Sequence, residues 1–201
     1  PSFVTVEGGT LKKTKTGTAK NDDWGDIPEP VLPSIEQPYN ILINGIGGTG
    51  VITVGALLGM AAHLAGKGAS VLDKSGMSQK NGSVTSHVKV AKTPAHLRPQ
   101  PIATGEADLI LGCDMLTSGA YDAVSKMRPG RTFAIVNQHE QPPGTFAQYA
   151  HWQYPAESVE ALITESVGGA QSVDFINATK LATALMGDSI ASNLFMMGYA
   201  F

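Results

Sequence analysis

The stretch Asn40-Ile-Leu-Ile-Asn-Gly-Ile-Gly-Gly-Thr-Gly-Val-Ile-Thr-Val-Gly55 permits few folds. Ile41, Leu42 and Ile43 form a short continuous apolar run, the signature of a strand buried on both faces. Gly45, Gly47, Gly48 and Gly50 then allow a tight turn, and Val51, Val54, Leu58, Ala61 and Leu64 recur at helical spacing. The pattern predicts a strand over 41–43 and a helix that starts near Thr49 and stops at Gly66-Lys-Gly68.

Downstream, Ala69–Leu72 reads as a second strand, and 73–82 as a polar, glycine-bearing loop. From Ser83 the chain alternates, with Val84, Ser86, Val88 and Val90 on one face, which predicts a half-solvated third strand. A fourth strand at Leu109–Gly112 precedes a helix over about 118–127, a turn at Pro129-Gly130 and a fifth strand at Thr132–Val136. Helical patterns follow at about 156–167 and 174–186, and another begins near Ser189. The class is α/β: a sheet of about five or more strands with helices packed on it, a Rossmann-like start without the standard Rossmann wiring, and a helical C-terminal part. Residues 1–38 hold a short strand candidate at Phe3–Val6, a Lys/Thr run, and Pro28, Pro30, Pro33 and Pro38, so they read as a linker that lacks regular structure over most of 10–38.

With 42% apolar residues, 201 residues bury one core plus appendages. A net charge of −3 and a charged fraction of 15% offer no basic stripe, which argues against nucleic acid. Cys113 is the only cysteine, so no disulfide framework or multi-cysteine metal site can form within the chain, and a reducing compartment fits. No apolar run approaches the roughly 20 residues that cross a bilayer, and no signal peptide opens the chain, so the expectation is a cytoplasmic protein away from the membrane. The start at Pro1 and the apolar finish at Leu194–Phe201 suggest a piece of something longer, truncated at its C-terminal end.

Gly45, Gly47 and Gly50 match G-x-G-x-x-G between a strand and a helix, where free N–H groups and the helix dipole favour an anion. Asp73, near the end of the second strand, sits where a ribose needs an acid, and so favours NAD. Against NAD, a polar loop and an alternating strand stand where a second crossover helix belongs. A third reading has the glycines serve strand-to-helix packing alone.

A second motif adds weight. Lys74-Ser-Gly-Met-Ser-Gln-Lys-Asn-Gly-Ser-Val-Thr-Ser-His-Val-Lys-Val90, together with Gly45–Val51 and Ala107-Asp-Leu-Ile-Leu-Gly-Cys-Asp114, resembles the gamma-type domain of the 2-oxoacid:ferredoxin oxidoreductases, most of all the long fused indolepyruvate form. The likeness runs from about Tyr39 to Phe201, including Asp188–Ala200, and Pro1–Gly9 looks like the stretch after the last cluster cysteine of that enzyme's ferredoxin-like insert. The resemblance implies a multidomain oxidoreductase that decarboxylates an aryl 2-oxo acid, such as indolepyruvate, to an acyl-CoA. Its thiamine diphosphate, Mg and [4Fe-4S] clusters lie in other parts, and electrons pass to ferredoxin. Residues 39–201 would then serve coenzyme A binding and contact with the other domains of an oligomeric parent, without catalysing alone. On that reading Gly45, Gly47, Gly48, Thr49 and Gly50 cradle a diphosphate with their amides, and Lys74 or Lys80 neutralises it. Ser78, Gln79, Asn81, Gly82 and Ser83 line the facing loop and bond a pantetheine or a neighbouring domain.

Asp114 follows the fourth strand at the carboxyl edge, where open α/β sheets place ligands, and is equally suited to cap a helix. Cys113 reads as a buried structural thiol, and His63, His87 and His96 lack partners at metal-ligand spacing. Gly55 and Gly59 read as a close helix-to-sheet contact, and Phe195, Met196, Met197, Tyr199 and Phe201 as a sticky stripe that is core or interface. Two rivals remain: a nicotinamide-binding dehydrogenase domain and a scaffold that binds no small ligand.

Overall fold

The computed structural model describes residues 29–76, 82–141, 151 and 153–201. The strand candidate Phe3–Val6 and most of the predicted linker lie outside them, and residues 29–38 carry no strand or helix. The chain divides into two units, Pro1–Val31 and Leu32–Phe201, and every element below belongs to the second.

Among the described residues six strands form one mixed sheet: β1 (Tyr39–Ile46), β2 (Gly68–Ser75), β3 (Ser83–Ala91), β4 (Leu109–Gly112), β5 (Phe133–Asn137) and β6 (Val173–Ile176). Their order is β2-β3-β1-β4-β5-β6, with β3 antiparallel to both neighbours and β1, β4, β5 and β6 parallel. β1 is buried on both sides, as its apolar run predicts. Ile41 and Ile43 join one core with Val51, Val54, Val88, Ala178 and Met196, so α1 (Val51–Leu64), α5 (Ala178–Met186) and α6 (Ser192–Tyr199) cover that face. Leu42 joins the other core with Ile110, Met115, Ala123, Ile163 and Val167, under α2 (Met115–Ser118), α3 (Tyr121–Val124) and α4 (Ala156–Val167). The result is three layers, helix, sheet and helix.

Several expectations need correction. The third strand is not half solvated: Thr85, His87 and Lys89 are buried along with Val84 and Val88. The irregular segment after β3 covers this polar face, and the Ile102 N–H donates to His87 Nδ1 at 3.2 Å. Alternation reveals two faces but not whether water or another segment covers the polar one. The expected helix over 118–127 is two four-residue helices. It begins earlier because Asp114 caps it, and it breaks at Gly119, where a Cβ would stand 2.7 Å from Val159 Cγ1 of α4. The pattern over 174–186 is a strand and then a helix, separated by Asn177, whose Oδ1 accepts the Lys180 N–H at 2.9 Å. A four-residue apolar run fits either period, so β6 was hidden in a helical pattern.

At the edge of the sheet where β1 and β4 begin, Arg131 Nε and Nη2 donate to Asp108 at 2.8 and 3.2 Å, and the same carboxylate accepts the Asn40 N–H at 2.8 Å. α1 lies hard against β2 and β3. A Cβ on Gly55 would run into Ser86 Oγ and come within 3.1 Å of Ser86 Cβ, and one on Gly59 would stand 2.7 Å from Val71 Cγ2. This close seat fixes the start of α1. Gly55→Val is expected to destabilise the protein by about 1–3 kcal/mol through overpacking, read as a lower urea midpoint. An unchanged midpoint would mean that α1 can stand off from the sheet.

Candidate functional site

β1, β2, β4, β5 and β6 run in one direction, and their carboxyl ends meet at one edge. The chain leaves β1 toward the α1 face and leaves β4 toward the α2 face, which opens a crevice between them at the point where open α/β sheets hold ligands.

The glycine loop is fixed by close approach and by hydrogen bonds. A Cβ on Gly45 would stand 2.8 Å from Val51 Cγ2 and 3.0 Å from Cys113 Cβ, so a side chain there would push β4 and α1 apart. Gly47 N–H donates to Gly82 O at 2.8 Å, which ties the loop to the residue that precedes β3. Thr49 Oγ1 donates to Ile46 O at 2.7 Å. Gly48 and Gly50 take φ of +86° and +95°, a region that a side chain would strain. From α6, the buried Asn193 donates through Nδ2 to Thr49 O at 2.7 Å. No side chain caps α1. Its first-turn N–H groups therefore lack intrahelical partners and project, with the positive end of a 14-residue helix, into a cavity of about 310 Å³ lined by Gly47, Gly48, Gly50, Thr53 and Val84.

Asp114 lies beside this loop: its backbone N is 3.9 Å from where a Cβ of Gly45 would be. Its Oδ1 accepts the Thr117 N–H at 2.8 Å, capping α2, while Oδ2 is buried with no hydrogen-bond partner among the described residues. Burial pushes this carboxyl above the ordinary aspartate range, against the hydrogen bonds from Thr117 that pull it down. Asn44 donates through Nδ2 to Thr117 Oγ1 and Ser118 Oγ at 3.1 and 3.0 Å. Asn137 donates to Thr179 Oγ1 at 2.9 Å and to Cys113 O at 3.3 Å. Burial first, and Asp114 second, push the Cys113 thiol to about 12, so it stays protonated and offers no nucleophile. Tyr154 is pushed to about 12 by burial first, then by Asp114 and Glu140.

The structure thus brings Gly45, Gly47, Gly48, Thr49 and Gly50 together with Gly82, Ser83 and Asp114; Ile46 and Ser83 are register partners. It does not bring Lys74 to the α1 face. Lys74 pairs in register with Thr85, which pairs with Asn44 on the α2 side, and its Nζ meets Asp122 Oδ2 at 2.6 Å. Ser78, Gln79, Lys80 and Asn81 lie outside the described residues. Asp73 faces the α1 side with Ser86, but β3 stands between β2 and β1, so it is two strand spacings, roughly 10 Å, from β1. Asn193 and Asn44 leave no signal in the sequence, because a buried asparagine that bonds a distant carbonyl or hydroxyl makes no periodic trace. The groove of about 660 Å³ between α4 and β6 is lined by Glu157, Glu160 and Glu165 and stands apart from this edge. Among the described residues, no group of three or more His, Cys, Asp or Glu is arranged to hold a metal ion, and no helix is long and apolar enough to cross a membrane.

Residues 40–201 match the family model described as pyruvate ferredoxin/flavodoxin oxidoreductase. The chain is 29% identical over 162 residues to the indolepyruvate oxidoreductase subunit IorB of Methanothermobacter thermautotrophicus, covering 81% of this chain and 77% of that one. Its fold resembles the pyruvate oxidoreductase subunit PORC of Thermotoga maritima, with a TM-score of 0.54 at 14% identity over 80% of this chain and 73% of that one. It also resembles the 2-oxoglutarate:ferredoxin oxidoreductase of Magnetococcus marinus, solved with 2-oxoglutarate, coenzyme A and succinyl-CoA bound. There the TM-score is 0.52 at 16% identity, over 79% of this chain and 23% of that one.

Asp114 provides a test by pH. Its folded carboxyl titrates above the unfolded value of 3.8, so the folded state holds the proton more tightly. Stability is therefore kept below that value and declines as pH rises through the folded pKa. Asp114→Asn keeps an oxygen for the Thr117 N–H and removes the charge. The variant is expected to match the wild type in acid and to exceed it at neutral pH, in urea midpoints measured across that window. Asp114→Ala, which loses the cap, is expected to cost about 0.5–2 kcal/mol at every pH. A less stable Asn variant at neutral pH would mean that the carboxylate is ionised and paired.

Proposed function

The chain belongs to the pyruvate ferredoxin/flavodoxin oxidoreductase family, and from that premise we propose that it is the gamma-type part of an enzyme that oxidatively decarboxylates an aryl 2-oxo acid to an acyl-CoA and passes electrons to ferredoxin. Its own share is to receive coenzyme A and to hold the other parts of the enzyme together. The observation that carries this reading is the uncapped N-terminus of α1, with its glycine loop pinned by Gly82 and Asn193 at the crevice between β1 and β4. A diphosphate suits such a cradle, since first-turn amides and the helix dipole meet its charge without a lysine. The name of the Methanothermobacter relative supports an indolepyruvate-like substrate, and the coenzyme A bound to the Magnetococcus protein supports the acceptor.

The assembly role rests on the outer face of the α1 layer. Met60, Leu64, Leu185, Met186 and Ile190 are each more than half exposed. Exposed apolar side chains on the helices of one layer mark a contact surface, and the sister parts of the same enzyme are the occupants we propose.

Thiamine diphosphate, Mg²⁺ and iron-sulfur clusters do not fit this chain's described residues. One buried cysteine cannot ligate a cluster, and the lone carboxylate at the crevice, Asp114, caps α2. We assign those groups to other parts of the enzyme. The NAD reading is weaker, because the displaced Asp73 stands away from the ribose position.

Calorimetric titration of the full chain with coenzyme A, NAD and NADP tests the proposal. Coenzyme A is expected to bind, and Gly47→Asp to weaken it at least about tenfold, since the new carboxylate would crowd Gly82 O, which lies 3.3 Å from the Cβ position, and repel the phosphates. NAD binding lost in the same variant would favour the dehydrogenase, and silence with all three ligands the scaffold.

A further inference from the structure

A second cleft, of about 540 Å³, lies on the sheet face opposite α1, between the edge strand β2 and α3. The register decides which side chains enter it. Leu72 pairs with His87 and Lys74 with Thr85, so these four share the α3 face, whereas Asp73 pairs with Ser86 and turns to α1. Asp73, Ser75, Pro101, Asp122 and Lys126 complete the lining.

We propose that this cleft binds an oxyanion, the carboxylate or phosphate of a small molecule, through His87 Nε2–H, the Lys126 ammonium and the Thr85 hydroxyl. His87 is 93% buried, its exposure being 7%. Its Nδ1 accepts the Ile102 N–H at 3.2 Å, so the neutral ring carries its proton on Nε2, the atom left for the cleft. Lys74 is tied to Asp122 at 2.6 Å. Lys126 makes no side-chain hydrogen bond or ion pair among the described residues and feels Asp122 only through space, which leaves its ammonium free to meet an anion beside a buried donor. Leu72 and Pro101 form an apolar wall for an organic body, and the volume falls in the range of small-molecule sites.

Charges around the ring agree with this assignment. Burial lowers the His87 pKa, and Lys126, Lys74 and Lys89 lower it further, with only Asp122 opposing; Glu106 faces Lys89. An anion in the cleft would offset those ammonium groups and draw the ring's pKa upward.

The test is a histidine-labelled NMR titration of the full chain against pH, with sulfate or benzoate added and chloride at equal ionic strength as the control, and His87→Gln to assign the signal. The expected result is a rise of about one unit in the His87 pKa, a tenfold preference of the anion for the charged ring. Lys126→Met, which keeps the aliphatic stem, is expected to abolish the rise, and Gly47→Asp to leave it intact, so the outcome is separable from coenzyme A binding at the glycine loop. A response to benzoate alone assigns the site to organic carboxylates, and one to sulfate alone to inorganic oxyanions. No response to either anion, or an equal response in Lys126→Met, overturns the proposal.

Discussion

The antiparallel strand β3, set between β1 and β2, is the constraint on which the rest of the molecule depends. In a doubly wound sheet the strand after the first crossover lies beside β1 and carries its acidic side chain next to the glycine loop. Here β3 occupies that place, so Asp73 is displaced by a further strand spacing. The insertion also gives back a contact: Gly82, just before β3, supplies the carbonyl that accepts the Gly47 N–H. One topological choice thus removes the ribose partner and clamps the loop that would meet a phosphate.

The seat of α1 follows from the same strand. Ser86 of β3 and Val71 of β2 rise toward α1, and Gly55 and Gly59 let it settle on them. A helix drawn that close brings Val51 against Gly45 and Cys113, so the glycine loop, β4 and the helix start are packed against one another. Rigidity here has a chemical consequence. Amides that already point into the crevice need no reorganisation when an anion arrives.

Much of this could be read in the residues. The apolar run Ile41–Ile43, the glycine turn and the spacing of Val51 and Val54 agree with one another, and the strand and helix lie where they place them. Short elements were less legible. Val173–Ile176 fits a strand or a helix, and the start of α2 depends on a single capping carboxylate rather than on periodicity. Buried polar side chains were the least legible of all. Lys89 and His87 look solvent-facing in an alternating strand, yet both are buried, and the Ile102 N–H reaches His87 from the segment after β3. The pins on the site, Asn193 and Asn44, bond across 144 and 74 residues of chain, a reach that no local pattern records.

The two faces of the sheet now differ in how they meet negative charge. On the α1 side, backbone amides and a helix terminus do so, with fixed partial charges that do not titrate near neutral pH. On the α3 side, the cleft uses side chains: a histidine donor whose pKa burial and nearby ammonium groups hold below its ordinary value, and a lysine that makes no ion pair among the described residues. Anion binding at the glycine loop is therefore expected to vary little with pH, whereas binding in the second cleft couples to a proton. Both sites open at the edge where β2 ends and β3 begins, because the insertion of β3 gives the sheet one chemically distinct pocket on either side of the same hairpin.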